Sequence, residues 1–416
     1  MKRVYKTRKV FIGMVDIASQ ITDFKEGFQA NGVDTLTAIY ANYSKVSKGK
    51  ADVNLSLSKK RYFGGIRPRF LQKYLQDNFG EPHTRLWKRA IRECDTFLFI
   101  WSSFQKDFSD LAELKRKGKK IISVFVGSDV RWYHAMKQDF TEHKLPLIEY
   151  DEINTSPEEL KNTLSRLRIA EKYSDIIICL PCAMQLALKP YMKYMILVNC
   201  REIVENTKQR EINPIVIHAP THQKGKGTQY VLEVFDRLKK EGIVFEVRLI
   251  ENMANEQALK EYSNADILVG QLLTPGGGKQ DREAMAAGTI VLSSFAKDYP
   301  QLLPECPIID VTPATLYREL KSIILDYPRR VELAKKGRPY VEKYHSPAER
   351  CKVLLDLLEL QEERRSYDFY PEFFKNKFVP ESQMAAEIYN TWTDFVKGCD
   401  WYKKYVKSKD RNGLKF

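Results

Sequence analysis

The chain has 416 residues, 43% of them hydrophobic, with a formal charge of +14; this length suits two or three domains, each with its own core. No run of about 18 or more apolar residues occurs, so a transmembrane helix is not expected, and the basic stretch Met1 to Lys9 passes directly into a strand pattern rather than a signal peptide. The positive charge suits nucleic acid, anionic lipid or phosphorylated ligands, but no helix-turn-helix, zinc-finger or aromatic-basic signature accompanies it, so no nucleic-acid partner is expected. Seven scattered cysteines point to a reducing, cytoplasmic compartment.

Val10 to Val15 reads as a first strand, Ile17 to Ala30 as a helix and Thr35 to Tyr40 as a second strand. This alternation with short connections predicts a parallel, doubly wound α/β sheet. The first turn, Val15-Asp-Ile-Ala-Ser-Gln20, lacks the Gly-x-Gly-x-x-Gly that a dinucleotide needs, which argues against NAD or FAD. Ser44 to Tyr62 is polar and lysine-rich and reads as a loop. Lys59 to Lys73 interleaves cations with large apolar residues. It suits an anionic membrane surface, or it is an ordinary helix start with Phe70 and Leu71 in the core; the shortness of the stretch favours the second reading.

Thr96 to Trp101 is a strand, Asp107 to Lys117 a helix, and Ile121 to Val126 a strand that ends in Gly127-Ser-Asp-Val-Arg131. Ligands of open α/β sheets bind beyond the carboxyl ends of strands, which places Asp129 and Arg131 for contact. The alternative is a turn aspartate paired with a nearby arginine. Ser156 caps a helix from Pro157 to Glu171, and Ile176 to Cys179 and Met195 to Asn199 are short strands. Cys179-Leu-Pro-Cys182 has no second pair to complete a four-cysteine zinc site, so a strand-end location is preferred. Arg201 to Glu211 is highly polar with no apolar period and marks a boundary between a domain over 1–206 and one over 212–360.

Pro214 to Pro220 opens the second domain as a strand, followed by the loop Thr221 to Thr228 and a helix from Gln229 to Glu241. Two lysines, Lys224 and Lys226, with Gly225 and Gly227 ahead of a helix suit a pyrophosphate; solvated lysines are the alternative. Phe245 to Ile250 is a strand and Glu256 to Asn264 a helix. Ile267 to Leu272 reads as a buried strand, Pro275-Gly276-Gly277-Gly278 as a turn, Glu283 to Ala287 as a helix with Gly288 at its C-cap, and Thr289 to Leu292 as the next strand. Glycines let a ligand approach the backbone, and N–H groups at a helix start face an anion with the helix dipole behind them. Glu283, read as lying in the first helical turn, either accepts from ligand hydroxyls or caps its own helix. Ala314 to Leu325, Arg329 to Tyr344 and Pro347 to Glu363 follow as helices. Glu381 to Val406 is helical, with Ile388, Trp392, Phe395 and Tyr402 on one side and Lys397, Lys403, Lys404 and Lys407 beside them. It is a membrane-surface or partner helix, or a helix docked on the protein's own core, and docking is preferred.

Gly276-x-Gly278, then Glu283-Ala-Met-Ala-x-Gly288 and a β-rich run, resembles the donor-site signature of retaining GT-B glycosyltransferases, especially glycosyltransferase family 4 (group 1). His218-Ala-Pro followed by Lys226-Gly-Thr, and Gly337-Arg-Pro-Tyr-Val-Glu-Lys-Tyr344, are similar to that family too. The resemblance is good from Ile212 to Leu360 and weak before it. It implies a GT-B fold: two Rossmann-like domains with parallel sheets facing a central cleft, and a helical tail over 361–416 that returns to the first domain or contacts a membrane or partner. It implies transfer of a sugar from a nucleotide-diphospho-sugar to the hydroxyl of a glycan or lipid-linked acceptor, with retention, in surface polysaccharide or glycolipid synthesis. The location implied is cytoplasmic, or peripheral on the inner face of an anionic plasma membrane.

By the same resemblance Glu283 serves the nucleotide ribose, Lys226 contacts the donor diphosphate and Gly227 opens the helix. The implied donor set is His218, Lys224, Gly225, Lys226, Gly227, Gly276, Gly277, Gly278, Lys279 and Glu283. Asp129 and Arg131 would lie across the cleft and join Lys226 and Glu283 as catalytic residues, with Asp16, Ser19 and Gln20 lining the cleft. The loop Glu251 to Glu256 would hold the base. No metal and no other cofactor is expected, because lysines and helix dipoles neutralise the diphosphate and no Asp-x-Asp motif occurs. Three departures stand out. The family's sugar-facing glutamate falls at Pro275, its histidine before Gly127 falls at Val126, and its arginine falls among Thr221, His222 and Gln223, where Lys224 could substitute. Two other readings accompany the transferase: a GT-B nucleotide-sugar epimerase, and a non-catalytic GT-B protein that binds nucleotide or a partner.

Overall fold

The computed structural model describes residues 5–42, 51–55, 68, 70, 82–145, 147, 155–193, 196–251, 253–297, 299, 305–359 and 378–403. Contacts divide the chain into two units: Met1–Trp132 with Ser156–Tyr194 and Cys351–Phe416, and Tyr133–Thr155 with Met195–Arg350.

In the first unit β1 (Lys9–Asp16), α1 (Gln20–Ala30), β2 (Asp34–Ile39), β3 (Ala41–Asn42) and β4 (Val53–Asn54) are followed by α2 (Pro82–Glu93), β5 (Thr96–Ile100), α3 (Asp110–Arg116) and β6 (Lys120–Val124). Helix α4 (Tyr133–Glu142) belongs to the second unit; α5 (Pro157–Tyr173), β7 (Ile176–Cys179) and β8 (Met192–Lys193) return to the first. Among the described residues the sheet order is β4-β2-β1-β5-β6-β7-β8, with β3 beside β1 and every pairing parallel. Central strands of a parallel sheet are covered on both faces, which is why Phe97 to Ile100 and Ile176 to Cys179 are continuous apolar runs and fully buried. Phe11 of β1 lies opposite Leu36 and Phe97 and stacks on Phe104 with ring centroids 4.8 Å apart.

The second unit runs β9 (Ile215–His218), α6 (Gln223–Lys226), α7 (Thr228–Lys240), β10 (Glu246–Leu249), α8 (Asn255–Ser263), β11 (Ile267–Val269), α9 (Lys279–Ala286), β12 (Ile290–Ser293), β13 (Ile309–Asp310), α10 (Leu316–Leu325) and α11 (Tyr327–His345). Its strands are ordered β10-β9-β11-β12-β13, again all parallel. Val216, Ile267, Val269 and Leu292 from the strands pack with Val231, Phe235 and Leu238 of α7 and Leu320 and Ile323 of α10 in one core. Arg338 of α11 donates to Ala286 O at 3.0 Å and so anchors the carboxyl end of α9. Helix α12 (Pro347–Glu359) leads back to the first unit, where α13 (Gln383–Lys397) packs along α5. Ala385 and Val396 of α13 are buried, and the Lys172 ammonium of α5 sits 4.5 Å over the Phe395 ring. The tail helix is thus docked on the protein's own α5. Among the described residues no helix is long and apolar enough to cross a membrane.

Several boundaries differ from expectation for local reasons. Helix α1 starts at Gln20 rather than Ile17, because Ala18 and Ser19 adopt left-handed φ values of 51° and 61°. The apolar run Met195 to Asn199 is not a strand over its described part: Val198 N–H donates to His345 O at 3.0 Å, and the strand beside β7 is Met192–Lys193. The tail helix is interrupted at Gly398 and is helical again over 400–403; the rest of the expected span to Val406 lies outside the described residues. Phe70 is 73% exposed and not in the core. The rest of Lys59 to Lys73, apart from Pro68, lies outside the described residues, as do most of 361–416.

Candidate functional site

The carboxyl ends of β9 and β11 carry the two loops that the sequence singles out. After β11, Gly276 and Gly277 take φ values of 96° and 65°, which only glycine adopts without strain. Arg282, 4% exposed, reaches back over this turn and donates to Gly276 O at 2.8 Å and Gly278 O at 3.2 Å. A Cβ on Gly277 would lie 2.2 Å from Arg282 Nη1, so glycine and arginine fit only as a pair. Asp281, fully buried, accepts from Gly278 N–H at 2.7 Å and from Ser293 Oγ at 3.0 Å. It is the residue that caps α9.

This arrangement settles two expectations. Glu283 is the fifth residue of α9, beyond the first turn, and Asp281 already fills the capping role. The Glu283 carboxylate instead turns to Asn255 Nδ2 at 3.4 Å and Lys279 Nζ at 3.9 Å, and is 7% exposed. The expectation that the glycine N–H groups face a ligand is corrected for two of them. Gly277 N–H donates to Ser294 O at 3.3 Å and Gly278 N–H to Asp281. Two cationic side chains, Lys226 and Lys279, border the corner.

Lys226 is one of them. It ends the single turn α6, whose start is capped by His222 Nδ1 accepting from Gly225 N–H at 3.1 Å. Gly227 follows with φ 74° and opens α7. Leu272 N–H donates to Lys226 O at 3.0 Å and ties the two loops together. The half-buried Lys226 Nζ donates to Gln271 Oε1 at 2.9 Å, and a Cβ on Gly278 would begin 3.7 Å from it. Burial pushes the Lys226 ammonium below its usual range, and the Asp281 carboxylate opposes that shift. Lys226, Gly278, Lys279 and Glu283 thus share one corner of the second unit. Lys224 is exposed on the outer side of α6. His218 is buried behind the corner: Nδ1 meets Val269 O at 2.7 Å and Nε2 meets Thr228 Oγ1 at 2.9 Å, so both ring nitrogens are engaged within the fold. Its burial pushes the imidazole towards the neutral form.

In the first unit, Asp129 follows β6 and is 2% exposed. Its carboxylate accepts from Val126 N–H at 3.1 Å and Gly127 N–H at 2.8 Å, and burial pushes it up to about 6. No ion pair with Arg131 forms among the described residues; the guanidinium of Arg166 donates to Asp129 O at 3.1 Å. Arg131 Nη2 lies over Gly127, 3.1 Å from where a Cβ would stand there. Asp16, Ser19 and Gln20 are all buried. Asp16 accepts from Ile21 N–H at 3.1 Å and Gln20 Nε2 donates to Asp23 at 2.8 Å, so these side chains build the start of α1. Cys179 and Cys182 are buried, and no metal-holding group of His, Cys, Asp or Glu forms among the described residues.

Sequence reasoning missed Asp281, Arg282, Gln271 and Asn255. Charged and amide residues at a helix start read as solvated, and the available signal was only that two opposite charges directly follow the glycine turn.

No protein-family model matches the sequence, and no curated protein sequence matches it. Solved structures do. Sucrose-phosphate synthase from Thermosynechococcus elongatus is similar with a TM-score of 0.54 at 12% identity, over 84% of this chain and 99% of that one. TarM is similar with a TM-score of 0.54 at 10% identity, over 85% and 99%. A mutant of S. aureus TarM in complex with fondaparinux, alpha-GlcNAc-glycerol and UDP gives 0.51 at 11% identity, over 84% and 99%. At such identities the likeness is one of fold. The chain has the GT-B fold of these glycosyltransferases, with parallel sheets in two domains and a helical C-terminal part.

Proposed function

We propose that the protein moves a sugar from a nucleotide-diphospho-sugar to an acceptor hydroxyl, and that the glycine corner of the second unit holds the donor. The observation that carries this reading is the juxtaposition of the Lys226 ammonium with Gly278, next to Glu283 held by Asn255 and Lys279. The donor diphosphate lies against Lys226 and Lys279, at the amino end of α9, where cations and the helix dipole act together. Glu283 accepts from the ribose hydroxyls. As the bond from the anomeric carbon to the diphosphate oxygen breaks, the nucleoside diphosphate leaves with the electron pair, and Lys226 stabilises the charge that develops. The acceptor oxygen bonds to the anomeric carbon and its proton passes to the leaving diphosphate oxygen.

We assign the reaction to the retaining type and the chain to glycosyltransferase family 4 on the motif resemblance. A surface polysaccharide or glycolipid acceptor is proposed on the same ground. The mechanism needs no metal, because two lysines and a helix terminus supply the neutralisation. In the first unit Asp129 and Arg131, beyond the carboxyl end of β6, are the proposed acceptor residues. Asp129 acts by fixing the loop through Val126 and Gly127.

A second reading rests on Pro275, which stands where the resemblance places a sugar-facing glutamate. It makes the chain a nucleotide-binding protein without turnover. The deciding experiment incubates the protein with UDP-, GDP-, ADP- and CMP-sugars and glycan or lipid-linked acceptors. Released nucleotide and glycosylated product are read by mass spectrometry. Acceptor-dependent product supports transfer; binding without consumption supports the second reading.

A further inference from the structure

The outward face of α7 carries chemistry that the donor site does not use. With α6 and Leu273 it walls a cavity of about 610 Å³, inside the range of roughly 300–1,000 Å³ typical of small-molecule sites. Tyr230 and Leu232 are 37% and 38% exposed there. The Tyr230 ring edge and Leu273 lie close to Gly227: a Cβ there would stand 3.4 Å from Tyr230 Cδ2 and 3.3 Å from Leu273 Cγ. The ring is a partly exposed aromatic surface beside the cavity. Glu233 and Asp236, about one and two turns further on, add carboxylates, and Gln229 donates to Glu233 at 3.0 Å.

The lining selects a ligand class. Two carboxylates beside one lysine, Lys224, repel phosphates and nucleic acid. A wholly apolar ligand would strip water from those carboxylates without replacing its hydrogen bonds. A sugar chain meets both demands, with C–H faces against an aromatic ring and hydroxyls donating to carboxylates. We propose that this cavity is a subsite for a neutral oligosaccharide segment, held on Tyr230 and hydrogen-bonded to Glu233 and Asp236. The inference rests on the sugar-transfer reading for its role, which is to keep an acceptor or product chain on the enzyme.

The test is saturation-transfer NMR without nucleotide, against hexasaccharides of α-1,4-glucose, β-1,4-glucose, β-1,4-N-acetylglucosamine and α-1,6-mannose at millimolar concentration. Wild type is expected to bind at least one. Tyr230→Ala is expected to weaken it about tenfold or more, which corresponds to about 1.4 kcal/mol, and Asp236→Asn to weaken it measurably. Thermal shifts with nucleotide-sugars should be unchanged in both variants. No binding to any hexasaccharide, or binding equal in wild type and both variants, overturns the subsite. Glycan binding that follows these variants while no nucleotide-sugar binds would leave the subsite standing and remove the donor reading alone.

Discussion

Replacing Gly277 by alanine tests the construction of the glycine corner. Gly277 has φ 65°, and a Cβ there would meet Arg282 Nη1 at 2.2 Å and Asp281 Oδ2 at 2.8 Å. Gly242, in the same unit, has φ 76° and nothing within 4 Å of a Cβ, so Gly242→Ala isolates the backbone effect. Left-handed backbone costs a residue with a Cβ about 1–2 kcal/mol. Alanine's stiffer unfolded chain offsets about 0.4–1 kcal/mol of this. Gly242→Ala should therefore destabilise by about 1 kcal/mol. At Gly277 the guanidinium must also withdraw from the Gly276 and Gly278 carbonyls it bonds at 2.8 Å and 3.2 Å. Losing even one hydrogen bond to a charged group adds about 1.5–3 kcal/mol. The expected total for Gly277→Ala is about 3 kcal/mol or more. Urea unfolding of the two variants and wild type, compared through midpoint and slope, measures it. A Gly277→Ala cost within about 0.5 kcal/mol of that for Gly242→Ala would refute the Arg282 brace.

Two further outcomes follow from the same geometry. Burial raises the Asp129 carboxyl to about 6 from its usual 3.8, so the folded state binds the proton more tightly than the unfolded one. Stability from this group is therefore greatest at low pH and falls as pH rises from about 4 to about 6, by up to about 1.4 kcal/mol per pH unit. Asp129→Asn should remove that slope, and a variant-minus-wild-type difference that stays flat across the window would contradict it. Lys226→Met should weaken a nucleoside diphosphate by about 30-fold or more, the worth of a charged hydrogen bond to phosphate, while leaving the nucleoside unaffected; calorimetry with both ligands reads the split.

What was legible in the sequence was local. Runs such as Ile176 to Cys179 and Ile267 to Val269 announce parallel strands because both faces of such strands are covered. The glycine turn and the Lys-Gly-Lys-Gly loop were visible because each lies within a few residues. Distant pairings were not. Arg282 looks like a solvated helix residue until the fold aims it at two glycine carbonyls. His218 sits beside the corner in sequence terms, yet Val269 and Thr228, far along or across the loop, take both its nitrogens. The run Ile196 to Val198 is apolar enough for a strand, but the backbone partner of Val198 is His345, whose identity no window reveals. Helices α2 and α4 had no predicted counterpart, although Leu86 and Ala90 in α2 and Tyr133, Met136 and Phe140 in α4 are buried at helical spacing.

The central claim is that a nucleotide-sugar sits at the Lys226, Gly278 and Glu283 corner. Thermal unfolding of wild type and Glu283→Ala against UDP-, GDP-, ADP- and CMP-sugars addresses it most directly. At about 100 times its dissociation constant the bound donor should add about 2.7 kcal/mol of stability to wild type, with the shift lost in Glu283→Ala. No shift with any donor from a folded sample, or the same shift in Glu283→Ala, would contradict the account.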